Sequence, residues 1–300
     1  MAKKSGKSVT KKAVSKAKNR QKLPNVYLLS KSAAELFWQH RILLAGIVAV
    51  YGLLNLVLVQ GIAGNTDLGS VKDALDQAFK GNYGTLASGL GVFVVLLGSS
   101  GNATSGTAGA YQMILAVIGS LAIIWALRQS LAGNTPRVRD AFYKGMYPLV
   151  PFILVLIVIG LQLLPLLIGT SVYSLVITNG IAYFFIEKLI WAGLAILLSV
   201  LSLYMISSSL FALYVVTLPD MTPVKALRSA RDLVRYRRWA VLRKLLFLPV
   251  LLLVIAAVIM LPIIVWLTPL AKWIFFVLTM FSLLAIHAYL YNLYRELLND

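Results

Sequence analysis

Long apolar runs alternate with polar loops along this chain, and nearly all Lys and Arg fall in every second loop. A soluble core does not accommodate that arrangement. About 20 apolar residues rising 1.5 Å each cross a hydrocarbon core of ~30 Å, and short loops rich in Lys and Arg stay on the cytoplasmic side during insertion. The pattern therefore predicts an all-α polytopic membrane protein and sets its orientation. Composition agrees, with 60% of the 300 residues hydrophobic and 13% charged, against roughly 45–50% and 25% in soluble domains.

Six spans are expected, at residues 42–63, 110–127, 147–168, 189–218, 245–267 and 273–294. Residues 85–98 are also apolar, but about 14 residues are short for a crossing, and Gly89 and Gly91 interrupt them. This piece is expected to be re-entrant or interfacial. A seventh crossing there would put Arg128, Arg137, Arg139, Lys144 and the segment Lys225 to Lys244 outside. With six, the outer segments hold Lys72, Lys80, Lys188 and Lys272, and both termini are cytoplasmic. Tyr173 to Phe185, uncharged and aromatic, is expected to lie on the outer leaflet surface. Residues 1–22 are Lys, Ser and Ala with almost no large apolar side chain, a composition expected of a disordered basic cytoplasmic tail. A cleaved signal peptide would carry a shorter apolar stretch than the one that follows. Residues 23–300 form the six-span transmembrane domain.

The net charge of +18 is carried largely by the tail and one later loop. Attraction to a membrane surface accounts for it, and nucleic acid is expected only as nonspecific phosphate contact with the tail, which lacks interleaved aromatics for base stacking. The chain has no Cys, which removes thiolate nucleophiles, disulfides and Cys-based metal sites, and His40 and His287 are too few for a histidine metal cluster. No catalytic, cofactor or metal constellation stands out, so no enzymatic activity is expected. Asn102-Ala103-Thr104 matches a glycosylation sequon, a three-residue pattern without secretory context here.

Each inner segment before an outward-going span begins with Pro and continues as an expected amphipathic helix, at Pro24, Pro136 and Pro223. Thr135 and Thr222 precede two of them as expected N-caps. Pro151 and Pro165 bracket one following span, Pro249 and Pro262 another. Three copies of a surface helix plus a transmembrane hairpin are the expected plan. In the third copy, Thr222-Pro223, Ala226-Leu227-Arg228, Arg231-Asp232-Leu233-Val234 and Arg237-Arg238-Trp239 resemble the cytoplasmic signature of a group of mostly uncharacterised bacterial six-span inner-membrane proteins. That group is related to the membrane domain fused to some glycerophosphoryl diester phosphodiesterases and to the YciC-like family. Ala230 and Tyr236 stand where the group usually has Ser and Gly. The resemblance implies the layout and an inner-membrane location; no phosphodiesterase domain is present in these residues, so that activity is not implied.

Lys225, Arg228, Arg231, Arg235, Arg237 and Arg238 are the candidate lipid head-group contacts. A helix from Pro223 to Arg238 is expected along the inner surface, burying Leu227, Ala230 and Val234 and acting as a charge patch on the anionic leaflet. The function expected is a role in lipid or envelope homeostasis. Two alternatives stay open, a small-solute or lipid transporter and an insertase-like biogenesis factor. A transporter would line a mid-bilayer cavity with Asn55, Gln162, Ser202 or His287. The bland reading of these residues is interhelical packing: Ser199, Ser202 and Ser209 share one helix face, and His287 would donate to a Ser or carbonyl. At the outer end of the fourth span, Glu187 and Lys188 are read as anchors rather than ion ligands.

Overall fold

The computed structural model describes residues 25–60 and 106–299, and every described element is helical. The basic tail, residues 61–84, the apolar piece 85–98 and the Asn102 sequon lie outside the described residues. In chain order the elements are α1 (Val26–Gln39), α2 (Arg41–Asn55, continued by a π-helical turn Leu56–Gln60), α3 (Gly106–Leu131), α4 (Val138–Gly145) and α5 (Leu149–Thr178). There follow α6 (Phe185–Val215), α7 (Pro223–Val234), α8 (Arg238–Trp266) and α9 (Thr268–Asn299). Among the described residues, six helices are long and apolar enough to cross a membrane: α2 with its π turn, α3, α5, α6, α8 and α9. The all-α, six-span architecture is that of an integral membrane protein.

The short helices α1, α4 and α7 each precede a span, but their starts differ. Thr222 caps α7 by accepting the Lys225 N–H at 3.4 Å, with Pro223 in the first turn. Thr135 does not cap α4, which begins at Val138 after Arg137 with no side-chain cap. Packing fixes α4 instead: a Cβ on Gly46 would come within 2.7 Å of Val138, and a Cβ on Gly145 would lie 3.1 Å from the Leu121 carbonyl of α3. α1 buries Leu29 and Leu36, two turns apart, and its Phe37 meets Phe281 of α9 edge to face at 6.1 Å.

The two largest departures from the expected span boundaries are the end of α5 and the start of α8. α5 continues to Thr178, so Tyr173 to Thr178 form its last turns rather than a surface segment, and only residues 179–184 connect it to α6. Gly180, at φ 65°, ends α5: its N–H bonds Ile177 O at 3.3 Å and the Ile181 N–H bonds Val176 O at 3.0 Å, a glycine-closed helix terminus. α8 begins at Arg238, earlier than residue 245, and so includes Arg243 and Lys244.

Burial is uneven along the bundle. The large core joins the ends of the spans nearest α1, α4 and α7, including Leu44, Ile124, Phe152, Phe211 and Leu293. A small second cluster of Ala256, Met260, Ile264, Ala271 and Phe275 holds the far ends of α8 and α9 together. α6 shows the contrast most clearly. From Phe185 to Met205 it buries only Ser202, whereas from Ile206 to Val215 only Leu210 is not buried.

Candidate functional site: a basic cleft beside α6

α7 packs on the buried half of α6 through Ala226, Ala230 and Val234, all 0% exposed and one turn apart. Leu227, expected on that face, is half-buried at its edge. The three and four residue spacing of Arg228, Arg231 and Arg235 then sets their guanidinium groups on a neighbouring face. The helix does not reach Arg238: it stops at Val234, residues 235–237 turn, and Arg238 opens α8. That break carries Arg238 back toward α6, where its guanidinium lies 4.6 Å from the centre of the Tyr204 ring.

Tyr204, Arg228, Arg231, Asp232, Arg235 and Arg238 enclose a cleft of about 530 Å³. Four of the six candidate head-group residues therefore meet at one cavity rather than along an open face. Lys225 is exposed on the first turn of α7, and Arg237 is half-buried before α8; neither lines this cleft. Four guanidinium groups against the single carboxylate of Asp232 leave a formal charge of +3 (4 − 1) at the cleft. Among the described residues, no carboxylate forms an ion pair within 4 Å with these four arginines, whereas Lys31 pairs with Glu35 at 3.7 Å on α1.

The cleft shares Tyr204, Arg228, Arg231 and Arg238 with an adjoining cavity of about 450 Å³ between α5, α6 and α7. Its walls add Val158 and Gln162 from α5, and Met205, Ser208 and Ser209 from α6. The Gln162 Oε1 atom is buried without a hydrogen-bond partner. The hydroxyls of Ser208 and Ser209 both donate to Met205 O, at 3.0 and 3.3 Å, which commits their protons and leaves their oxygens able to accept. Chemically, the combined site offers forked cationic donors, one aromatic platform and an apolar wall. That set has the chemistry to complement an oxyanion.

The other residues singled out in the sequence are used for packing. Ser202 Oγ accepts the Leu166 N–H of α5 at 3.0 Å, directly after Pro165. Ser199 and Ser209 instead donate within α6, to Ala195 O and Met205 O, so one of the three expected interhelical serines reaches across. His287 is buried with its Nδ1 3.1 Å from the Tyr214 hydroxyl, so its partner is a tyrosine rather than a Ser or carbonyl. The Tyr214 ring also packs against Tyr291 and Tyr294. Asn55 is fully buried on α2. Glu187 accepts the N–H groups of Tyr183 and Phe184 at 2.9 and 3.2 Å, which makes it a cap for the start of α6.

Sequence reasoning missed two residues. Tyr204 was not distinguished from other apolar positions of its span, although the change from an apolar run to Ser207-Ser208-Ser209 just after it marks where α6 enters protein contact. Arg128 counted only toward the charge bias. In the structure its guanidinium donates to Thr217 O at 2.8 Å, to Tyr214 O at 3.3 Å and to the Thr217 hydroxyl, a cation placed at the C-terminus of α6. It also borders an open cleft of about 1240 Å³ with Trp125, Tyr143 and Asp220. Among the described residues, no group of three or more His, Asp or Glu is placed to hold a metal ion.

No protein-family model, curated protein or solved structure gives a significant match to this chain. The site therefore stands on its own geometry.

Proposed function

We propose that this is a non-enzymatic protein of the bacterial inner membrane, both termini cytoplasmic, whose basic end docks on the anionic cytoplasmic leaflet in the service of lipid or envelope homeostasis. The kinship with the six-span family is part of the same proposal. The observation that carries it is the level at which the arginines meet α6. The run from Leu189 to Met205, after Glu187 and Lys188, buries only Ser202 and measures about 25 Å at 1.5 Å per residue, within about one helical turn of the ~30 Å of a hydrocarbon core. Tyr204 and the arginine cleft stand at the end of that stretch, and head-group phosphates at that level would spare the guanidinium groups the cost of entering hydrocarbon. Exposed Tyr143, Tyr147, Tyr236 and Trp239 at the same end suit an interfacial belt.

The transporter alternative draws less support. Ser202 is committed to α5 and His287 to Tyr214; Gln162 does line a cavity, but one continuous with the arginine cleft at the basic end.

The docking proposal is tested by extracting the full-length protein with its surrounding lipid in polymer discs and measuring the anionic fraction. Changing Arg228, Arg231, Arg235 and Arg238 together to Gln should lower anionic enrichment, by about 1 kcal/mol of attraction per charge removed, and raised salt should lower it in the original protein. Equal enrichment in both proteins at both salt concentrations contradicts the proposal.

A further inference from the structure

We propose that the arginine cleft is a stoichiometric site for the phosphate of one anionic glycerophospholipid, which enters laterally from the leaflet and lays its acyl chains along α6. The inference rests on the docking proposal and sharpens it from a charged surface to a shaped site.

Three observations converge. First, the guanidinium groups reach the cavity from two different elements, Arg228, Arg231 and Arg235 from α7 and Arg238 from α8 across the turn at 235–237. A flat patch on a single helix would not need that turn. Arg238 is further held over the Tyr204 ring, so one fork is oriented before any ligand arrives. Second, the +3 formal charge is not cancelled by an ion pair among the described residues, and a cleft of about 530 Å³ falls in the size range of small-ligand sites. A phosphate presents non-bridging oxygens that match guanidinium forks two by two.

Third, the adjoining cavity suits the head-group glycerol tethered to that phosphate. Val158, Met205 and Leu227 make it apolar, while the unpartnered Gln162 Oε1 supplies one acceptor for a hydroxyl of a glycerol head group. Leu201 and Leu197 continue the Tyr204 face at helical spacing, 45% and 64% exposed, and offer a track for acyl chains. Free phosphate would fill the arginine end and leave this half vacant. A tethered glycerol and chain fill both.

Native mass spectrometry of the full-length protein, delipidated in neutral detergent and titrated with phosphatidylglycerol, tests the inference. A first bound lipid should saturate before any others. A carboxylate-headed diacyl lipid of equal charge should bind at least about tenfold more weakly, and so should phosphatidylglycerol to the charge-preserving Arg228→Lys, Arg231→Lys, Arg238→Lys variant, because Lys cannot present the fork. Equal binding by that variant overturns the shaped site and leaves the docking proposal standing; equal binding by the fourfold Gln variant removes both. Soluble glycerol phosphate displacing the lipid at equal concentration overturns the choice of a lipid ligand. Should the Lys variant unfold, the head-group comparison on the unaltered protein decides: no preference for the phosphate lipid overturns the inference.

Discussion

Ser202 shows what single residues contribute to this bundle. Pro165 has no N–H to donate and its ring crowds the carbonyl one turn back, and at the next residue the Leu166 N–H donates to Ser202 Oγ of α6. Four residues on, Gly169 lets α6 come to 3.3 Å from a Cβ position at Ala195 Cα, and the hairpin closes there. Ser202→Ala should therefore destabilise the protein by about 1 kcal/mol, read as earlier thermal unfolding in detergent, whereas Ser199→Ala should leave unfolding unchanged. Equal effects would mean that the interhelical bond contributes nothing. The sequence made the three serines equivalent because they share a helical face; which one crosses depends on the register of α5 against α6, which spacing along one helix does not encode. The same holds for His287, legible as a packing residue but not as the partner of Tyr214.

At the scale of elements, type and number were legible and ends were less so. Thr222-Pro223 starts α7 as read, since cap and proline act locally. Thr135-Pro136 carries the same signal, yet α4 starts later because Val138 and Gly145 dock it against α2 and α3. The break after Val234 escaped the hydropathy pattern, because Arg235 to Arg238 continue a charge run that gives no sign of a turn. The crossing status of residues 85–98 belongs to this scale too. The chain has no Cys, so single cysteines at Gln39 and Thr135, both exposed and separated by α2 and α3, report it cleanly. Both positions should react with an impermeant thiol reagent from the same, cytoplasmic side. Labelling from opposite sides would make residues 85–98 a span.

For the molecule as a whole, hydropathy reveals that α6 is apolar throughout but not what its side chains face. Lipid and protein interior select the same residue types, so the division at Met205 between an exposed and a buried half emerges only from packing. That division sets the level of the arginine cleft, and with it the docking proposal. The direct measurement is oxygen accessibility of spin labels placed singly at exposed α6 positions Ile190, Leu194, Leu197, Leu201 and Tyr204 in anionic liposomes. Oxygen concentrates at the bilayer centre, so accessibility should peak at Leu194 to Leu197, the middle of the exposed stretch, and fall toward head-group values by Tyr204. A profile still rising at Tyr204 would place the four arginines in hydrocarbon and contradict the account.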